Sequence, residues 1–192
     1  SLRMAQLQAK GTYKIGHATP LTGSQTELGT VFKNAADLAA ELVKEKGGVD
    51  GVPLQMLTED HMADPKQGIT AFTKLVNVDK VPVVIAAWSS VIVGLSPTAQ
   101  DLKTMLINYG ANTPTVRGAG QYTFSAFPLA DVDVKALARF LYNEKSARKL
   151  GVIYISNESG RVPAGVMKDE FERLGGKVVA FEAHEPDAPD FG

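Results

Sequence analysis

Trp88-Ser89-Ser90 and Gly110-Ala111-Asn112 are the residues of this chain whose types and spacing could do chemistry. The serine pair follows five small apolar residues, Val83 to Ala87, that read as a buried strand. Where a strand leaves a sheet and a helix begins, unpaired backbone N–H groups and hydroxyls favour a carboxylate or another anion. Trp88, the sole tryptophan, adds an apolar wall that can stack on an aliphatic or aromatic ligand body. Gly110 lets the chain approach a ligand closely, and Asn112 offers both a donor and an acceptor. The same residues have plainer uses. A Ser-Ser pair before a helix serves as a cap, and a tryptophan at a strand end serves as core or subunit interface. Ser96-Pro97 leaves two readings of the next segment: a helix starting there after a loop at 89–95, or a longer helix kinked at Pro97.

Catalytic spacings are missing. The chain has no G-x-G-x-x-G after its first strand, no G-x-x-x-x-G-K-[ST], no G-x-S-x-G and no H-E-x-x-H. His17, His61 and His184 are scattered. His61 with Asp60 and Asp64 could be grouped as a metal cluster, but Asp64 is better explained as a helix cap. His17, on an apolar strand, reads as a hydrogen-bonded core residue, and Glu158 as a surface residue. Cysteine is absent, which removes disulfides, thiolate chemistry and Cys-based zinc. No cofactor, metal or catalytic residue is expected. Lys plus Arg is 20 against 21 Asp plus Glu, so there is no basic surplus for phosphates and nucleic acid is not an expected partner. No apolar run reaches the ~18 residues of a membrane span. The opening residues lack the pattern of a signal peptide, so one is expected to have been removed earlier.

The elements that must position these residues alternate. Hydrophobic residues make up 44% of the chain and charged residues 21%, enough apolar content for a packed core. Strands are expected at 13–20, 52–60, 81–87, 104–108, 122–127, 150–156 and 177–183. A helix over 24–46 carries the stripe Leu28, Val31, Phe32, Ala35, Ala39 and Leu42, and Gly47-Gly48 stop it. Asp64-Pro65-Lys66-Gln67 reads as a capped helix start with a capping box. Asp131 is expected to cap a helix over 132–145, and 161–174 is a further helix ended by Gly175-Gly176. This βα alternation means an α/β fold, a doubly wound parallel sheet covered on both faces. Ligands in such sheets sit at the carboxyl ends of the strands. There the chain places 19–29, Trp88-Ser89-Ser90, 109–114 and "SNESG" (156–160), all read as loops. A soft boundary falls at 127–131. Only one βαβ unit follows it before the polar tail "EPDAPDFG", so the chain is expected to be cut rather than finished.

The order of these segments carries a family likeness. "IGHATPLTGSQTELG", "ELVKEKGGVDGVPLQMLTEDHMADPKQGITAFTKLV" and "VPVVIAAWSS" resemble the periplasmic substrate-binding proteins of branched-chain amino acid (Leu/Ile/Val) ABC transporters. The likeness covers about 12 to 190. It implies a type I periplasmic binding fold, with a complete first lobe at 12–128 and the start of a second at 129–192. It also implies a periplasmic protein, no enzyme, that captures a small ligand in an interlobe cleft and delivers it to a permease. Carried over residue by residue, Ser89 and Ser90 match the positions that bind the ligand carboxylate. Gly110, Ala111 and Asn112 match the segment that meets the carboxylate and ammonium. Leu28 matches a position at the cleft entrance. Ser159 stands where amino acid binders often carry Tyr, Trp88 replaces a usually smaller residue, and Ser125 stands in place of an Arg. These departures leave room for an aromatic or other bulky carboxylate as well as an amino acid. A sensory or receptor domain of the same fold is the alternative to a transport protein, and an α/β enzyme a more distant one.

Overall fold

A computed structural model describes residues 11–185. The expectations about the chain start and about the tail at 186–192 lie outside the described residues. Among the described residues there are seven strands: β1 (Tyr13–Thr19), β2 (Leu54–Asp60), β3 (Val83–Ala86), β4 (Met105–Asn108), β5 (Thr123–Ser125), β6 (Lys149–Ile155) and β7 (Lys177–His184). Five helices connect them: α1 (Thr26–Glu45), α2 (Pro65–Asn77), α3 (Ser89–Asp101), α4 (Asp133–Arg139) and α5 (Glu158–Arg173).

The first five strands form one sheet in the order β2-β1-β3-β4-β5, every neighbouring pair parallel. The chain steps from β1 outward to β2, then back across to β3. Right-handed crossovers therefore put α1 on one face and α2 with α3 on the other. The core lies on the α2/α3 side: Phe72, Leu75, Val84, Val91, Ile92, Leu95 and Leu106 are all fully buried there. Gly16 belongs to the same face, where a Cβ would meet Val84, Leu75 and Val81 at 3.0–3.1 Å. On the α1 face, Met105 and Phe124 stay exposed. Among the described residues, the expected cover on both faces is thus complete only on one. β6 and β7 form a separate parallel pair joined by α5.

Helix details depart from the sequence reading in ways that matter for the site. The stripe on α1 is rotated from the expected one. Gly29 and Ala40 are buried and Phe32, Ala36 and Val43 half-buried, whereas Val31 is 56% and Leu42 47% exposed. Small residues face the sheet because α1 lies close on it: a Cβ on Gly29 would sit 1.7 Å from the Pro20 carbonyl oxygen. α3 starts at Ser89 and runs through Pro97, so the longer-helix reading holds and 89–95 is not a loop. α5 starts at Glu158 rather than 161, because the Asn157 side chain accepts from the N–H groups of Ser159 and Gly160; "SNESG" is mostly helix. Asp131 does not cap α4. It is engaged by Arg117 at 3.0 Å, Val132 occupies the cap position, and the helix gives way to a π-turn at Phe140–Glu144. The Asp64 cap forms, accepting from Gln67 N–H at 2.9 Å, while the Asp64 N–H donates to the His61 carbonyl instead of closing a box.

Candidate functional site

The carboxyl ends of β1, β3 and β4 converge on one cavity of about 400 Å³. Its lining is Gln25, Leu28, Phe32, Ala87, Trp88, Ser89, Gly110, Asn112, Phe127 and Ser159, with no charged side chain among them. Three loops shape it. The turn after β1 is fastened by Asp60, whose Oδ1 accepts from the N–H groups of Leu21 and Met62 at 2.8 Å and whose Oδ2 accepts from the Thr22 hydroxyl. Burial alone would raise the Asp60 carboxyl; the hydrogen bonds from Thr22, Met62 and Leu21 outweigh it and hold the group below its usual range.

The turn after β3 brings the chain sharply into α3. Trp88 sits at φ +66°, a region that bulky side chains rarely enter and that costs of order 1–3 kcal/mol where it occurs. The strain falls at the cavity wall. The first helical hydrogen bond of α3 runs from Ile92 N–H to Trp88 O at 2.9 Å. The N–H groups of Ser89, Ser90 and Val91 therefore precede the helical ladder and form the positive end of the helix. Ser89 is buried, and its hydroxyl donates to Asn112 Oδ1 at 3.3 Å, which leaves the Asn112 amide N–H groups as donors.

The turn after β4 is built on Asn108. Its Oδ1 accepts from Gly110 N–H at 3.1 Å and Ala111 N–H at 2.6 Å, and its Nδ2 donates to the Ala111 carbonyl and to Ser125 Oγ. Of the residues singled out in the sequence, Leu28, Trp88, Ser89, Gly110, Asn112 and Ser159 are brought together in the lining of one cavity. Ser90 and Ala111 do not line it: Ser90 is the next helical residue and Ala111 is buried beneath the loop. Gln25, Phe32, Ala87 and Phe127 also line the cavity and were not among the candidates. Gln25, Leu28 and Phe32 lie at i, i+3 and i+7, one face of α1, a spacing visible in the sequence once the helix is rotated correctly. Phe127 carried no signal, since its loop position comes from the Ser125 hydroxyl bonding to the Phe127 carbonyl.

Behind the wall runs a chain of rings. Trp88 meets Phe32 edge-on at 5.5 Å and His61 at 5.4 Å; Phe32 meets Tyr109 at 5.4 Å; and Tyr109 meets His17 at 5.6 Å. His17 Nε2 lies 2.8 Å from the Tyr109 hydroxyl, and His61 Nδ1 accepts from Ala63 N–H at 3.0 Å. Both histidines are fully buried, and burial lowers both to about 4. They are neutral structural rings at neutral pH, as the sequence reading has His17. With Asp60 and Asp64 committed to backbone N–H groups, His61 has no metal partners, and no group of three candidate metal ligands occurs among the described residues.

Glu158 is a departure from the surface role expected of it. Its Oε1 accepts from the hydroxyls of Thr113 and Thr115, both at 3.2 Å, and Arg161 pairs with Oε2. It ties the first turn of α5 to the segment that follows β4.

Residues 12–192 match the family model described as periplasmic binding protein. The chain belongs to the periplasmic binding protein family. It is similar to the leucine-, isoleucine-, valine-, threonine- and alanine-binding protein of Pseudomonas aeruginosa, at 27% identity over 95% of this chain and 49% of that one. A solute-binding protein of an ABC transporter from Rhodopseudomonas palustris, solved with 3,4-dihydroxybenzoic acid, superimposes with a TM-score of 0.83 at 22% identity, over 94% of this chain and 49% of that one. A branched-chain amino acid transporter substrate-binding protein from Streptococcus pneumoniae, solved with isoleucine, gives 0.81 at 23% identity, over 94% and 51%. The fold is the type I periplasmic binding fold, and the chain spans about half the length of the curated relatives it matches. Members of the family are solute-binding proteins rather than enzymes. Among the described residues, no helix is long and apolar enough to cross a membrane.

Proposed function

We propose that this chain is part of the extracytoplasmic solute-binding component of an ABC importer, with a first lobe at 12–128 and the opening of a second at 129–192. It captures a small carboxylate and hands it to a permease. One observation carries the reading: an uncharged cavity lined both by Ser89 of the first turn of α3 and Asn112 and by the Trp88, Phe32 and Phe127 rings. Donors without a counter-charge suit a carboxylate, and the rings suit a bulky apolar body. In this reading Ser89 and the Asn112 amide meet the carboxylate, Ser90 contributes through its backbone N–H in the first turn of α3, Gly110 and Ala111 shape the loop that presents Asn112, Trp88 and Leu28 meet the body, and Ser159 closes from the second lobe. An amino acid would need its ammonium met by groups other than these lining residues, none of which is acidic. This favours a carboxylate with an aromatic or branched apolar body over a small amino acid.

The test is calorimetry on the full chain with 3,4-dihydroxybenzoate, benzoate, isoleucine and alanine. Saturable binding of a carboxylate with a bulky body, returned chemically unchanged, supports the reading. Preference for alanine over every bulkier acid would overturn the assignment of the rings, and turnover of a bound acid would overturn the binding role itself.

A further inference from the structure

Asn108 is fully buried and uses its whole hydrogen-bonding capacity. Both lone pairs of Oδ1 accept, from Gly110 and Ala111; both Nδ2 protons donate, to the Ala111 carbonyl and Ser125 Oγ. The backbone continues the pattern. Asn108 O accepts from Ala126 N–H at 2.8 Å, and Asn112 O accepts from Ala130 N–H at 2.7 Å. Ser125 in turn donates to the Phe127 carbonyl at 2.9 Å and its Oγ accepts from the Phe127 N–H at 3.4 Å. The loop bearing Asn112 and the segment bearing Phe127 both line one cavity, and both are bonded to this one residue and its strand.

We propose that Asn108 is a positioning residue of the cavity: one buried amide fixes the Gly110–Asn112 loop and, through Ser125, the Phe127 wall. It has a second consequence for recognition. By taking the N–H groups of Gly110 and Ala111, it withdraws two donors from the loop. An anion is then met by the first turn of α3 and the Asn112 side chain. The loop also rests on the tryptophan turn, since a Cβ on Gly110 would lie 3.0 Å from Ala87 Cβ. Displacing the loop therefore changes the surroundings of Trp88, the chain's sole tryptophan.

The experiment uses the full chain without ligand, so its outcome is independent of what the cavity binds. Hydrogen exchange is followed at 109–113 and at Phe127, together with acrylamide quenching of Trp88. In Asn108→Leu, Gly110 and Ala111 should exchange about tenfold faster and Trp88 quenching should rise about twofold, because the half-buried Gly110 N–H and the buried Ala111 N–H both lose their acceptor. Leu106→Ala is the control: it opens a cavity in the same strand, is destabilising, and leaves the loop bonds in place. It should change neither readout beyond what its lower global stability accounts for. Ser125→Ala should speed exchange at Phe127 while Gly110 and Ala111 keep wild-type protection, and Ser125→Thr should restore Phe127. Wild-type exchange at Gly110 and Ala111 in a folded Asn108→Leu overturns the proposal, as does reproduction of its pattern by Leu106→Ala. Should Asn108→Leu not fold, the Ser125 pair decides: unchanged Phe127 exchange in Ser125→Ala overturns it.

Discussion

Acidification from pH 7 to 5 should weaken this protein through its two buried histidines before any carboxylate takes part. Each is lowered from 6.5 to about 4, first by burial; for His17 the charges of Asp37 and Lys33 act in opposite directions, and for His61 the Asp60 charge opposes the shift. A group whose folded pKa lies below its unfolded value binds its proton first in the unfolded chain as pH falls. Stability is therefore intact above pH 6.5, falls as pH drops toward 4, and levels off below. At pH 5 the unfolded ring is almost fully protonated and the folded ring is not, which amounts to about 2 kcal/mol per histidine, or about 4 for both. Set against a typical total of about 5–15 kcal/mol, this is a large share. Glu170 is held down to about 2 by its bonds with Arg173 and Arg139, and Asp60 is also lowered. Their contributions are lost below the ordinary carboxylate range near 4, outside the window. Urea denaturation of the full chain at pH 7, 6 and 5, followed by circular dichroism, measures the slope. His61→Asn keeps an oxygen able to accept from Ala63 N–H but does not titrate. It should start weaker at pH 7 and lose only half as much by pH 5. An unchanged slope in His61→Asn would refute the account, because it would place the proton uptake elsewhere.

Gly29→Ala should cost about 3 kcal/mol or more, since the Cβ collides with backbone at Pro20 rather than with a flexible side chain; an Ala variant with the wild-type urea midpoint would show that α1 can lift off the turn. Ser89→Ala with Ser90→Ala should weaken carboxylate binding by about 1.5–3 kcal/mol in calorimetry, and wild-type affinity in the double variant would remove the serines from the site. Trp88→Ala should weaken 3,4-dihydroxybenzoate more than isoleucine and isoleucine more than alanine. Equal losses across the three would make Trp88 a core residue only.

The strands were legible because they read as short apolar runs bounded by glycine, proline and polar residues, whereas their order in the sheet was not. The Ser89 and Asn112 contact was legible as a position, at the carboxyl ends of neighbouring strands, before any geometry was known. The face of α1 was not. Its outward Leu28, Val31 and Leu42 are larger than its inward Gly29, Ala36 and Ala40, so hydrophobicity points the wrong way where close approach to a sheet demands small residues. Asn108 was hidden for a different reason. At the end of an apolar strand it reads as a strand stop, and its value lies in four bonds to partners up to 17 residues away. The start of α5 was missed because Asn157, an ordinary loop residue by type, is a cap by placement.

Glu158 joins the two sheets through hydroxyls, and the character of that joint follows from its chemistry. Thr115 is exposed and trades its bond to the carboxylate for water at little net cost, whereas Thr113 is fully buried and its bond to the charge is worth about 1.5–3 kcal/mol. The seam is therefore lopsided: its outer stitch slips freely and its inner one holds. Parting the two sides means wetting Thr113, so the joint leans toward staying closed.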